Sequence, residues 1–210
     1  ADLIAADYET IEPYLTAILK AEKADDETRE RAIAAAGMVK AADLLAGDYT
    51  LVITNVPYLG RIKQDEVLRS FCDGKYRNAR LDLATCFVER CLDLCGQHAT
   101  VAVVVMQNSL FLATYKKFRL DLLGRTTWNI AAKLGPKAFQ TPMWDFGVAL
   151  IGISRDKPTD TAVLAGIELV NINSPNDKAV ALQSLPLALV PQKDQLRNPD
   201  AAIIFEAPSH

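Results

Sequence analysis

From Tyr49 to Thr54 the chain reads Tyr-Thr-Leu-Val-Ile-Thr without interruption and is then stopped by Asn55-Val56-Pro57-Tyr58. Aromatic and β-branched side chains favour a pleated strand. Pro57 cannot prolong it, because proline has no N–H to give to a ladder. Asn55 to Tyr58 therefore form the turn at the carboxyl end of a strand, and in open α/β sheets that end is where ligands bind.

Around this strand the pattern alternates. Proline suits the first turn of a helix, so one is expected from Pro13 to about Lys23, followed by an Ala-rich helix capped by Asp25 or Asp26 and ending near Ala36. A short strand at 38–41 and the strand at 50–54 come next. Helices near 64–72 and 81–95, a strand at 99–106, a helix at 112–123, and strands at 127–134 and 146–154 complete the middle. Segments 161–172 and 200–205 are candidates for further strands. Such alternation predicts an α/β fold with a doubly wound, mainly parallel sheet. The 210 residues, 50% of them apolar, suffice for one domain or a little more with a sizeable core.

The tetrapeptide Asn55-Val56-Pro57-Tyr58 resembles the (Asn/Asp/Ser)-Pro-Pro-(Tyr/Phe/Trp) motif of DNA methyltransferases that modify exocyclic amino groups. Three further segments carry the likeness in the same order. They are Leu81-Asp82-Leu83-Ala84 continuing through Phe87 to Arg90, Gln107 to Leu112, and Tyr115-Lys116-Lys117-Phe118-Arg119. Together they resemble the large adenine-specific methylases of type IIG restriction-modification and phage-exclusion systems. The likeness runs from about residue 42 to about residue 153.

The resemblance implies a reaction and roles for residues. An adenine amine is conjugated with its ring and poorly nucleophilic, so the base must leave the duplex and its amine must meet hydrogen-bond acceptors. Asn55 Oδ1 and the Val56 carbonyl would be those acceptors, with Pro57 holding the loop and Tyr58 stacking on the base. Valine departs from the family's first proline. The carbonyl survives the change, and the φ restraint of proline does not. A second aromatic wall is expected at Phe139, with Trp144 as the competing candidate.

S-adenosylmethionine is the implied cofactor. Asp43 and Leu44 resemble the acidic and apolar pair that holds its adenine. The family's Gly-rich turn and acidic residue after its first two strands have no counterpart in residues 1–41, where Gly37 is the one glycine. An incomplete cofactor site is therefore expected, in the catalytic middle of a longer protein: a helical lead-in at 1–41, a partial methyltransferase core at 42–175, and a tail at 176–210 leading toward target recognition. Without the first strand, the strand at 50–54 leaves an apolar edge open, so self-association or cover from residues 1–20 is expected.

The net charge of −3 conceals a polarised distribution. Lys and Arg number 5 against 11 acidic residues in 1–50, 13 against 8 in 51–150, and 5 against 7 in 151–210. The basic middle fits double-stranded DNA as a partner, with Arg61, Lys63, Lys116, Lys117 and Arg119 as candidate phosphate contacts. A solvated basic helix face is the other reading of Lys116 and Lys117. No apolar run approaches the roughly 20 residues of a membrane helix, so a cytoplasmic location without membrane contact is expected. Cys86, Cys91 and Cys95 are expected on one helix and Cys72 on the preceding one; their spacing offers no metal site and points to packing. A non-catalytic DNA-binding or interaction module that retains the methylase scaffold is the alternative to an enzyme.

Overall fold

Helix formers fill the chain from Asp26 to Ala46, and the whole stretch is one helix, α1 (Asp26–Ala46), in the computed structural model. The structure describes residues 13, 14, 17, 26–140 and 146–205. Pro13, Tyr14 and Ala17 are helical, while the remainder of the helix expected at 13–23 lies outside the described residues. The helix end expected at Ala36 and the strand at 38–41 are not found. Gly37 costs a helix about 1 kcal/mol, and the Ala, Met, Lys and Leu residues after it outweigh that. The chain divides into two compact units, residues 1–48 and 49–210. The boundary expected at 41/42 therefore falls inside α1.

The second unit is built on six strands: β1 (Tyr49–Asn55), β2 (Cys95–Met106), β3 (Thr127–Gly135), β4 (Val148–Ser154), β5 (Val163–Glu168) and β6 (Ala188–Pro191). Their order across the sheet is β1-β2-β4-β3-β5-β6. β1, β2, β3 and β5 run one way, and β4 and β6 run against them. The α/β class with most strands in one direction thus holds. Three of the five pairings are nonetheless antiparallel, because β4 turns back from β3 and inserts between β3 and β2. Its stretch Val-Ala-Leu-Ile-Gly-Ile-Ser is buried at all but Leu150 and Ser154, as befits a strand with a neighbour on each side.

A parallel pair needs a long crossover. Between β1 and β2 it is supplied by α2 (Glu66–Lys75) and α3 (Leu83–Asp93), each started by an aspartate whose side chain accepts a backbone N–H: Asp65 from Leu68, and Asp82 from Ala84. On β2, Val101, Val103 and Val105 are buried in the main core while Thr100, Ala102 and Val104 are half-exposed, the period of two expected of a strand. Cys95 begins β2 and is not on the helix with Cys86 and Cys91. All four cysteines are buried.

The next crossover carries α4 (Lys116–Arg125), shorter than the helix expected at 112–123 because two 3-10 turns, Gln107–Leu110 and Ala113–Tyr115, occupy its approach. β3 ends at Gly135 with φ of 71°, where a Cβ would stand 2.9 Å from the Val170 Cα. Only glycine fits that turn. After β5 come α5 (Pro175–Ser184), β6 and α6 (Gln192–Gln195). The tail expected from 176 therefore supplies the last strand of the same sheet. Residues 200–205 are not a strand: their N–H groups find loop partners, Ile203 donating to the Leu110 carbonyl at 2.8 Å and Ile204 to Gln195 Oε1 at 2.8 Å.

Candidate active site at the carboxyl ends of β1 and β2

β1 delivers Asn55 to its carboxyl end, exposed, and the chain turns inward at Val56, which is 3% exposed and packed in the main core. The position where the motif usually has proline is thus restrained by burial of the valine side chain. Pro57 is exposed and Tyr58 half-buried. The Tyr58 hydroxyl donates to Asn55 Oδ1 at 3.2 Å. Asn55 therefore already serves as an acceptor, toward a donor of its own loop.

The segment after Tyr58 is tied to the start of α3. Leu83 N–H donates to the Leu59 carbonyl at 3.0 Å and Arg61 N–H to the Leu81 carbonyl at 2.9 Å. Asp82, 4% exposed, accepts from Leu59 N–H at 3.3 Å and from Ala84 N–H at 2.9 Å. Its burial raises the carboxyl above the usual aspartate range, against the two N–H donors that favour the charge. Burial and the nearby Asp82 likewise raise the phenols of Tyr58 and Tyr115.

A cleft of about 590 Å³ opens here, bounded by Tyr58 to Lys63, Leu81, Asp82, Thr114, Tyr115, Phe146 and Met106, the last residue of β2. It lies where α/β sheets take their ligands. On one side Tyr58 and Phe146 stack, their ring centroids 5.3 Å apart and their planes 23° from parallel. Phe146 had no sequence signal beyond opening a strand, since nothing local marks which ring will meet Tyr58. Asp82 could have been recognised as the helix cap ahead of Leu83.

Phe139 is 41% exposed and does not line the cleft, and Trp144 lies outside the described residues. Asp43 and Leu44 occupy the last turn of α1 in the first unit, the turn expected there being helix. Asp43 pairs with Lys40 at 3.9 Å, and Leu44 is 50% exposed.

Of the five expected phosphate contacts, Arg119 is corrected. It is fully buried, donating to the carbonyls of Ser109 (2.7 Å), Leu112 (2.8 Å), Asp200 (2.8 Å) and Ala201 (3.0 Å), so it cannot reach a phosphate. Arg61 donates from Nη1 and Nη2 to the two carboxylate oxygens of Asp73, which also lies 3.6 Å from Arg80. Lys116 is paired with Asp200 at 3.3 Å. Lys63, on the cleft, and Lys117 are exposed and form no ion pair among the described residues.

An Asn-x-Pro-Tyr turn at the carboxyl end of an α/β strand, beside an aromatic-walled cleft, resembles the site of the methyltransferase class of α/β domains. The family model of the Eco57I restriction-modification methylases matches residues 4–139, and the chain belongs to that family. It is 29% identical over 119 residues to the adenine-specific methyltransferase BrxX of Escherichia coli O9:H4 (strain HS), covering 57% of this chain and 10% of that protein. It is also 29% identical over 105 residues to the adenine-specific methyltransferase PglX of Lacticaseibacillus casei (strain Zhang), covering 49% and 8%. The chain thus spans about a tenth of these curated relatives. Its fold is similar to that of a nuclease-deletion mutant of the Type ISP restriction-modification enzyme LlaGI, solved in complex with a DNA substrate mimic. That likeness has a TM-score of 0.56 at 11% identity and covers 84% of this chain and 17% of the other.

Proposed function

We propose that this chain carries the target-base site of an adenine-specific DNA methyltransferase of a restriction-modification or phage-defence system. The observation that carries the reading is Asn55 itself: it stands at the carboxyl end of β1 with its side-chain oxygen accepting a hydrogen bond, beside the Tyr58 ring at the cleft. An exocyclic amine of a flipped adenine takes the place of the Tyr58 hydroxyl on Asn55 Oδ1, with the Val56 carbonyl as the second acceptor. Held by two acceptors, the nitrogen is drawn toward tetrahedral geometry and its lone pair becomes available.

S-adenosylmethionine supplies the activated methyl group when bound. Of this chain's residues, the exposed Leu44 side chain and the Asp43 carboxylate suit an adenine ring and its amine, and they are the proposed cofactor contacts. Double-stranded DNA is the proposed partner, with Lys63 and Lys117 the better placed for phosphates and Lys116 and Arg61 already engaged with carboxylates. No described helix is long and apolar enough to cross a membrane, and a cytoplasmic location belongs to the same proposal.

The test is methyl incorporation. The full-length protein containing this chain, incubated with labelled S-adenosylmethionine and DNA, should deposit label on the adenine amine, and Asn55→Ala should reduce it on the order of 100-fold or more. Label-free DNA with undiminished duplex binding would favour the non-catalytic module instead.

A further inference from the structure

The face that Tyr58 turns toward Phe146 has no room for a base. A base between two rings needs centroids about 7 Å apart, twice the roughly 3.5 Å carbon contact distance. The observed separation is 5.3 Å, near parallel. Phe146 opens the segment that leads through Gly147 into β4, and both rings pack against the same two apolar clusters. The cleft is lined by both residues as well, so a ligand entering it meets the pair.

We infer that Phe146 is a specificity-determining residue of the base site, a stand-in that occupies the Tyr58 face until a flipped base displaces it. This rests on the reading of the cleft as a target-base site. Three consequences follow from the geometry. The stack keeps Tyr58 aligned, with its hydroxyl on Asn55, in the absence of DNA. It keeps water off an apolar ring face that would otherwise be exposed. It also sets a threshold for entry, because a base must interact with Tyr58 better than a phenyl ring does. A purine with its larger π-surface passes that threshold more readily than a pyrimidine, which makes the exchange a selective step as well as a binding step.

The competition has a definite sign. Removing a wall of the pocket weakens base binding, whereas removing a competitor strengthens it. In the full-length protein, with a duplex carrying 2-aminopurine at a mapped methylation site, Phe146→Ala should increase the fluorescence rise on binding. It should also lower KM for DNA by about two- to tenfold, the range of one aromatic pair, with KM moving more than kcat. Phe146→Leu, which retains apolar bulk without the aromatic face, should move both in the same direction and guards against a folding defect in the alanine variant. Phe146→Trp should raise KM. A smaller fluorescence rise with raised KM in both Phe146→Ala and Phe146→Leu would make Phe146 a wall and overturn the inference, leaving the base site intact. Absence of methyl transfer by the unsubstituted protein would overturn the base site and the inference together.

Discussion

The Tyr58 hydroxyl donates its hydrogen bond to Asn55 Oδ1 across 3.2 Å, so the proposed acceptor for the substrate amine is held in place by the proposed stacking ring. Orientation of one depends on the other. Tyr58→Phe retains the ring and frees the oxygen, whereas Asn55→Ala removes the acceptor.

Asn55→Ala in the full-length protein should therefore lower turnover on the order of 100-fold or more, with duplex affinity nearly unchanged. Tyr58→Phe should be much milder. Parallel measurements of methyl incorporation and DNA binding check this, and near-normal turnover of Asn55→Ala would remove it from the site.

Arg119 and Lys117 sit two residues apart and should behave oppositely. Arg119→Leu removes a donor from the buried carbonyls of Ser109 and Ala201, each costing about 1–3 kcal/mol, so a loss of at least about 2 kcal/mol in stability is expected. Lys117→Ala should leave stability within about 0.5 kcal/mol. As a phosphate contact it would instead reduce the slope of log affinity against log salt by about one. Denaturant titration and salt-dependent DNA binding separate the two roles.

Asp82 gives a pH dependence of unusual sign. Its folded-state carboxyl is raised above the ordinary 3.8 by burial, so the native state holds a proton that the unfolded state has released. Its contribution to stability is complete below about pH 3.8 and is lost as pH rises through the raised value. Asp82→Asn keeps an acceptor for Ala84 and Leu59 without a titrating charge. The stability of the Asp82→Asn variant, measured relative to the unsubstituted protein, should thus grow as pH climbs from about 4 into the neutral range. A constant difference would show that Asp82 does not titrate in this window. Asp82→Ala should lose about 0.5–2 kcal/mol at low pH, as a missing helix cap, and that loss should shrink as pH rises through the raised value.

Phe139 is 41% exposed, and Phe139→Ala should cost less than about 1 kcal/mol of stability. As the second wall of the base pocket it would also diminish the 2-aminopurine signal at the target position. A full signal would leave Phe139 as a loop surface residue and eliminate its stacking role.

On β1, Leu51 is 52% exposed and Ile53 71% exposed, and the strand pairs only with β2 among the described residues. Such an edge invites another strand. Ile53→Lys should reduce concentration-dependent association of the 210-residue chain in light scattering. A parent chain that is monomeric at all concentrations, with fast amide exchange at 51–53, would contradict both association and cover of this edge.

The local elements were legible because their signals are local. The run from Tyr49 to Thr54 followed by Pro57 determines a strand and its end, and Asp65 and Asp82 mark two helix starts through side chains that reach their own neighbours. Ser174-Pro175 marks a third, α5, by a cap and a first-turn proline that are just as local, although no helix is expected there from the apolar pattern. The motif at Asn55–Tyr58 was equally visible, since its order along the chain is its chemistry. The helix end expected near Ala36 was not found, because a helix continues or stops on the sum of its residues' propensities, and those after Gly37 favour it.

What only the tertiary structure decided are contacts between residues far apart in the chain. The charge of Arg119 reads as a surface contact until the Ala201 carbonyl, 82 residues away, is found against its guanidinium. The stack of Phe146 on Tyr58 depends on β4 inserting between β2 and β3, a register that hydrophobic alternation permits but does not specify. Periodicity records which side of an element is apolar. The partner on that side is chosen by the packing of the whole sheet, where burial is shared among all strands at once.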